Sequence, residues 1–218
     1  MITGAFSLVD TALHAGVEIC FANPGTTEMP IVMALDRAPG MRVVLGLFEG
    51  VCTGAADGWA RMTGRPAATL LHLGPGLSNG LANLHNARRA RTPVVNWIGD
   101  HAIRHLAFDA PLTSDIAALT NNVGWTRTVK SANEMAEASL AAVDAALGPP
   151  GRVASLIIPA DCQWEPELGG CVLRCGTAHC RPGHRHHRRR ALWVLRLRRG
   201  RDHYQRRRHE VRVSIPAR

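Results

Sequence analysis

Leu45-Gly46-Leu47-Phe48-Glu49-Gly50-Val51-Cys52-Thr53-Gly54-Ala55-Ala56-Asp57-Gly58-Trp59-Ala60 is the stretch on which the architecture turns. Arg42 to Phe48 has the apolar, β-branched character of a strand. From Glu49 the residues become small and the spacing predicts a helix to Met62. A strand passing directly into a helix is the repeating unit of an open α/β sheet, in which ligands collect beyond the carboxyl ends of the strands. Glu49 stands at that edge. Read from this stretch alone, it is a first-turn carboxylate stabilised by the helix dipole, worth about 0.3–1 kcal/mol.

The same alternation extends in both directions. Residues 4–15 carry Phe6, Leu8, Val9, Ala12 and Leu13 at helical spacing, with Gly16 at the stop. Val17 to Phe21 predicts a strand ending at the Asn23-Pro24-Gly25 turn, and Thr26 or Thr27 is placed to cap a helix to Asp36. Ala67 to Leu73 predicts a strand and Gly74-Pro75-Gly76 opens a helix to Arg89. Strands follow at Pro93–Ile98, Gly124–Val129 and Val153–Ile158. Ser131 with Glu134 has the form of a capping box before a helix to Leu147. These elements predict an α/β domain over residues 1–165, a doubly wound parallel sheet with helices on both faces.

The net charge of +9 belongs to the end of the chain. Residues 1–170 hold fifteen acids against ten Arg and one Lys, a balance of −4, whereas residues 171–218 hold fifteen Arg against two acids, a balance of +13. Basic charge therefore gives the main domain no footprint for nucleic acid or anionic membrane. Residues 166–218 form an Arg/His-rich tail expected to be disordered. The 10:1 use of Arg over Lys in residues 1–170 hints at GC-rich coding DNA, and such DNA read out of frame yields Arg, His, Pro, Gly and Cys. The tail accordingly reads as a frameshift product or aberrant end, with a genuine Arg-rich tail as the alternative. Its Cys171, Cys175, His179, Cys180 and His184 have the looser spacing of zinc patterns.

No run of about 18 apolar residues predicts a membrane span, and the N-terminus lacks a basic n-region. Cys20, Cys52 and Cys162 lie among apolar or small neighbours, so core thiols and a reducing cytoplasm are expected. The strand, Gly74-x-Gly76, helix and later Asp100 imitate a dinucleotide fingerprint. Asn79 stands where its last Gly or Ala belongs, and the turn is not the first of the domain.

With Asn23-Pro24-Gly25-Thr26, then Glu49 followed by Gly54-Ala55-Ala56-Asp57-Gly58-Trp59-Ala60, then Gly74-Pro75-Gly76-Leu77-Ser78-Asn79, the chain resembles the N-terminal pyrimidine-binding domain of thiamine diphosphate-dependent enzymes. Within that family it is similar to acetolactate synthase and benzoylformate decarboxylase. The resemblance implies the cofactor thiamine diphosphate, a 2-keto acid substrate, and decarboxylation or carboligation. It implies that Glu49 binds the aminopyrimidine and activates the cofactor, and that Pro24, Gly25, Gly76 and Asn79 line the cofactor. His72 matches a proton-transfer histidine of the decarboxylase branch, with a hydrogen-bonded strand-end histidine as the alternative; near-neutral titration suits the first role. Thr26 matches a substrate-contacting hydroxyl or simply caps its helix.

The resemblance also implies what to look for elsewhere. Family members hold Mg2+ on the diphosphate through a Gly-Asp-Gly segment with a downstream Asn, and no Gly-Asp-Gly occurs in this sequence. No metal ligand is assigned; His101 and His105 read as loop or solvated residues. Asn83, His85, Asn86, Arg88 and Arg89 read as a helix face at a subunit contact or in solvent. The expectation is a truncated N-terminal domain, inactive by itself. It would pair as a homodimer or with a separately encoded diphosphate-binding partner. Nucleic-acid binding through the tail ranks last, for the tail shows no recognition motif.

Overall fold

Apolar runs of four to seven residues become strands, and the computed structural model, which describes residues 2–167, pairs them all in parallel. Among the described residues the strands are β1 (Ile19–Asn23), β2 (Arg42–Leu45), β3 (Ala67–Leu71), β4 (Val94–Asp100), β5 (Gly124–Thr128) and β6 (Val153–Pro159). They form one sheet in the order β2-β1-β3-β4-β6-β5. Strands β3, β4 and β6 are buried at every position, as strands covered on both faces must be, whereas β2 at one edge is largely exposed. The expected doubly wound architecture is therefore the one observed.

Helices α1 (Gly4–His14), α2 (Met29–Asp36), α3 (Glu49–Thr63) and α4 (Leu73–Ala90) alternate with the first strands. Two short helices, α5 (Ile103–Leu106) and α6 (Ile116–Asn121), occupy the irregular stretch before β5, and α7 (Met135–Leu147) and α8 (Ala160–Trp164) flank β6. Helices α1, α2 and α7 cover one face, where Leu8, Ile31, Met135 and Val143 meet Leu70, Trp97 and Leu156. Helices α3, α4 and α6 cover the other, where Ala56, Leu77, Leu84 and Ile116 meet Leu71, Ile98 and Ile157. Each fully buried Leu or Ile of this kind contributes about 1.5–3 kcal/mol.

A polar row crosses the apolar sheet. Thr69 Oγ1 donates to Asn96 Oδ1 at 2.7 Å, and Asn96 Nδ2 donates to Ser155 Oγ at 3.2 Å. The three residues are register partners on β3, β4 and β6. A slip of either strand would leave these buried groups unpaired, so the row fixes register.

Several boundaries differ from those expected. Strand β2 stops at Leu45, leaving Leu47 and Phe48 exposed, because the connection turns away from the sheet at Gly46. Strand β3 ends at Leu71, so His72 is not inside the strand but is the residue between it and α4. Neither Thr26 nor Thr27 caps a helix: Gly25 takes the cap position of a single 3-10 turn, Thr26–Glu28, that leads into α2. The Ser131 capping box is not made, since the Ser131 side chain forms no cap bond and a 3-10 turn, Ala132–Glu134, precedes α7. Of the tail, Pro166 bridges Thr3 and Glu167 N–H donates to Ile2 O at 3.0 Å; the zinc-like cysteine and histidine cluster lies outside the described residues.

The strand order reverses direction between β1 and β3. The chain leaves β1 for the β2 edge and then crosses back through α3 to β3 on the other side. At such a switch point the two connections diverge and leave a crevice at the carboxyl ends of the strands. Here its walls are the Asn23-Pro24-Gly25 turn, His72, and the first turns of α3 and α4.

Candidate functional site: a carboxylate and a histidine at the switch point

Glu49 is the first residue of α3, and Phe48 before it is extended. Its position is set by the way α3 presses against α4. Thr53, fully buried, donates through Oγ1 to Gly80 O at 3.2 Å, and Asn83 Nδ2 reaches back to Gly50 O at 2.7 Å. A Cβ on Gly80 would stand 2.8 Å from Thr53 Cγ2, so the two backbones come closer than side chains would permit. Asn83 is thus a clamp between helices and not part of a free polar face; Arg88 likewise donates to Asn122 O at 2.8 Å. Of the predicted polar cluster, His85, Asn86, Arg88 and Arg89 are all exposed.

That contact brings Glu49 against the first turns of α4. Asn79 Nδ2 donates to Glu49 Oε2 at 3.0 Å. The other oxygen, Oε1, faces the bare Cα of Gly76, where a Cβ would lie only 3.0 Å away. The same Cβ would be 3.5 Å from His72 Cβ, so Glu49, Gly76, Asn79 and His72 meet in one place. Glu49 is part-buried and its charge is felt by Cys52, whose thiol is pushed up chiefly by burial; the Gly46 backbone opposes this and the Glu49 carboxylate adds to it.

His72 occupies a sharp junction. Leu73, next to it, is fully buried with φ 49°, a left-handed backbone costly for a branched side chain. The bend carries the imidazole over Gly25, where any Cβ would overlap the ring. His72 Nδ1 lies 2.8 Å from Glu28 Oε2 and 3.3 Å from Thr27 Oγ1. Its side chain is 24% exposed and that of Glu28 0%, so the pair has one wet and one dry member.

Glu28 escaped the sequence reading, as did Thr27 in this role. The Glu28 carboxylate accepts from Gly25 N–H at 2.7 Å through Oε2 and from the Thr27 hydroxyl through Oε1. It nests against β4 where a Cβ on Gly99 would overlap its carboxyl group. Asp100, which follows, is also buried. Its carboxyl is raised by that burial, held back by the His101 N–H and the His101 charge, and raised further by Glu28. The available signal was the reach-back spacing of Gly25 to Glu28; the burial comes from a strand distant in sequence.

Of the expected residues, Glu49, His72, Gly25, Gly76 and Asn79 come together. Thr26 is exposed on the 3-10 turn, and Pro24 lines an apolar groove with Val32, Val43 and Leu45 beside the β2 edge. His101 and His105 are not placed to bind metal: among the described residues no group of three His, Cys, Asp or Glu side chains is so arranged.

The molecule is an α/β domain with a parallel sheet whose switch-point crevice gathers a part-exposed carboxylate, a histidine and a bare glycine backbone. The chain belongs to the thiamine pyrophosphate enzyme family: the model of its N-terminal TPP binding domain matches residues 2–125. It is 57% identical over 165 residues to a Mycobacterium tuberculosis protein provisionally named acetolactate synthase large subunit IlvX, covering 75% of this chain and 32% of that one. It is 33% identical over 157 residues to benzoylformate decarboxylase of Pseudomonas aeruginosa, covering 71% of this chain and 29% of the relative. Among solved structures, a Mycobacterium smegmatis protein provisionally described as a thiamin diphosphate-dependent enzyme superposes with a TM-score of 0.73 at 27% identity, over 84% of this chain and 34% of the other. The chain thus spans about a third of the length of these relatives. No described helix is long and apolar enough to cross a membrane.

Proposed function

We propose that this chain supplies the pyrimidine-binding half of a thiamine diphosphate site that decarboxylates or joins 2-keto acids, with Glu49 as the cofactor-activating acid. The observation that carries this reading is the placement of Glu49 at the switch point, with Oε2 held by Asn79 and Oε1 turned toward the bare backbone at Gly76. That arrangement fits the group. A flat heterocycle needs a wall without side chains, and a ring nitrogen needs a carboxyl oxygen not already bonded to protein. When bound, thiamine diphosphate supplies a carbon nucleophile and an electron sink.

The chain's own residues then have separate tasks. Glu49 holds or gives a proton at Oε1, and Asn79 keeps its carboxyl group turned into the crevice. Gly25 and Gly76 leave room for the ring. His72, across the same opening, moves a proton at its solvent-facing end, where Thr26 also stands ready to contact substrate. The diphosphate and its Mg2+ would be held by a second body, either a further copy in a homodimer or a partner domain. The buried thiols Cys20, Cys52 and Cys162, unpaired in the structure, suit a reducing cytoplasm.

The test is a 1H–15N titration of the labelled chain with millimolar thiamine diphosphate and with its aminopyrimidine fragment. Shifts should gather at Gly25, Gly50, Gly76 and Asn79 with either ligand and vanish in Glu49→Gln. In the cofactor-loaded protein, Glu49→Gln should also slow C2 proton exchange by about 10²–10⁴-fold, the usual scale of general acid–base assistance. Shifts elsewhere, or unchanged exchange in the variant, would reject the assignment.

A further inference from the structure

Every hydrogen bond to the His72 ring among the described residues is made at Nδ1, and the two groups that meet it have their own protons already committed. The Thr27 hydroxyl gives its single hydrogen to Glu28 Oε1, so toward Nδ1 it offers a lone pair. Glu28 Oε2 already takes the Gly25 N–H at 2.7 Å and lies 2.8 Å from Nδ1. Both Glu28 oxygens thus already act as acceptors, one from a backbone N–H and one from a hydroxyl. Two acceptors therefore converge on Nδ1. A bare nitrogen there would set a lone pair against an anion in a dry pocket, which is among the costlier arrangements a buried polar group can adopt.

The pocket packs closely around these groups. Gly99 presses on the carboxyl group from β4 and Gly25 on the ring from below, and a Cβ at either position would overlap its neighbour. Glu28 is 0% exposed, so water does not share its charge, and Asp100 alongside makes an unpaired anion still less favourable.

We infer that Glu28 is a positioning residue which, through its buried carboxylate, fixes the proton of neutral His72 on Nδ1 and leaves Nε2 as a bare base at the crevice. This rests on the reading of the crevice as the reacting site, and it deepens that reading by assigning a direction. In its neutral form His72 is a proton acceptor at Nε2. It becomes a donor only after taking a proton on Nε2, when the imidazolium is paired with Glu28. Nε2 must therefore be loaded with a proton before His72 can give one to a group in the crevice. A hydroxyl or a bound water meets the neutral ring at this edge, whereas a carbonyl oxygen, which needs a donor, is met by the ring once Nε2 is protonated.

The tautomer can be read without any cofactor, so the result is independent of whether the chain binds thiamine diphosphate. In the full chain labelled with 15N-histidine, His72 is assigned by the signal lost in His72→Asn, and two-bond 1H–15N correlations are recorded above the titration range of histidine. The expected result is a pyrrole-type nitrogen at Nδ1 and a pyridine-type nitrogen at Nε2, the reverse of a free histidine. Glu28→Gln should shift the population toward the Nε2–H form, while Thr27→Val should leave the wild-type pattern. An Nε2–H tautomer in the wild-type chain overturns the inference by itself, even if Glu28→Gln fails to fold. An unchanged pattern in folded Glu28→Gln, or a reversal in Thr27→Val, overturns the role of Glu28.

Discussion

Asp100 ends β4 inside the protein, and the cost of its charge makes a pH-dependent prediction. Burial raises its carboxyl above the ordinary value of 3.8, with the His101 N–H and His101 charge working against that shift and Glu28 adding to it. A carboxyl raised by folding binds its proton more tightly in the native state than in the unfolded chain. Its contribution to stability is therefore present at low pH and lost as pH rises past the unfolded value. Asp100→Asn keeps an oxygen for the His101 N–H, which Asp100 now accepts at 2.8 Å, and removes the charge. The variant should match the wild type near pH 3 in urea unfolding and become the more stable protein between pH 4 and 7; greater loss of stability in the variant as pH rises would contradict the assignment. Next to it, Gly99→Ala drives a methyl group into the Glu28 carboxyl and should cost about 1–3 kcal/mol as an overpacked site. A urea midpoint unchanged from wild type would show that Glu28 does not occupy this nest.

Two glycines on facing helices separate packing from propensity at the level of elements. Gly80 on α4 touches Thr53 and Leu71, with a Cβ falling 2.8 and 3.4 Å from them, whereas Gly58 on α3 has nothing within 4 Å. Gly80→Ala should therefore destabilise by about 1–3 kcal/mol and move Asn79 off Glu49. Gly58→Ala should stabilise by about 0.5–1 kcal/mol, because an exposed helix interior gains from losing glycine. Thermal unfolding of the two variants checks both signs, and a common sign would refute the account of the helix contact. The sequence already placed the start of α3 at Glu49, since a strand running into small residues leaves few alternatives. It placed α4 nearly as well, missing by one residue because Leu73 takes a left-handed backbone that no propensity scale anticipates. Gly25, Gly76 and Asn79 were legible as a family pattern. Glu28 was not. A glutamate beside a turn reads as a solvated helix start, and only the bare backbone of Gly99 on β4 turns it into a buried anion. The stretch from 101 to 123 reads as irregular, and its helices α5 and α6 are too short to show periodicity.

On the scale of the whole molecule, the crevice is a wall and not an enclosure. Leu47 is 92% exposed, Val51 60% and Phe48 49%, so the carboxylate at Glu49 is ringed by apolar side chains turned outward. The part of the sheet that folds around the site ends at the first turns of α3 and α4 and the Gly25 turn. Tight small-ligand sites bury 70–90% of the ligand surface, and a single wall at the rim of a sheet covers far less. On the proposed reading the described surface would meet only the aminopyrimidine edge, and among the described residues no group of three His, Cys, Asp or Glu side chains is arranged to hold a metal ion. The isolated chain should consequently bind thiamine diphosphate with Kd well above 1 µM, short of the roughly 8 kcal/mol that a micromolar complex needs. Adding a diphosphate-binding partner should tighten binding and draw Leu47, Phe48 and Val51 out of solvent, seen as protection of the α3 start from hydrogen exchange. Calorimetry giving a sub-micromolar Kd for the chain alone would mean that the crevice is already complete, and the half-site reading would fall while the role of Glu49 stood.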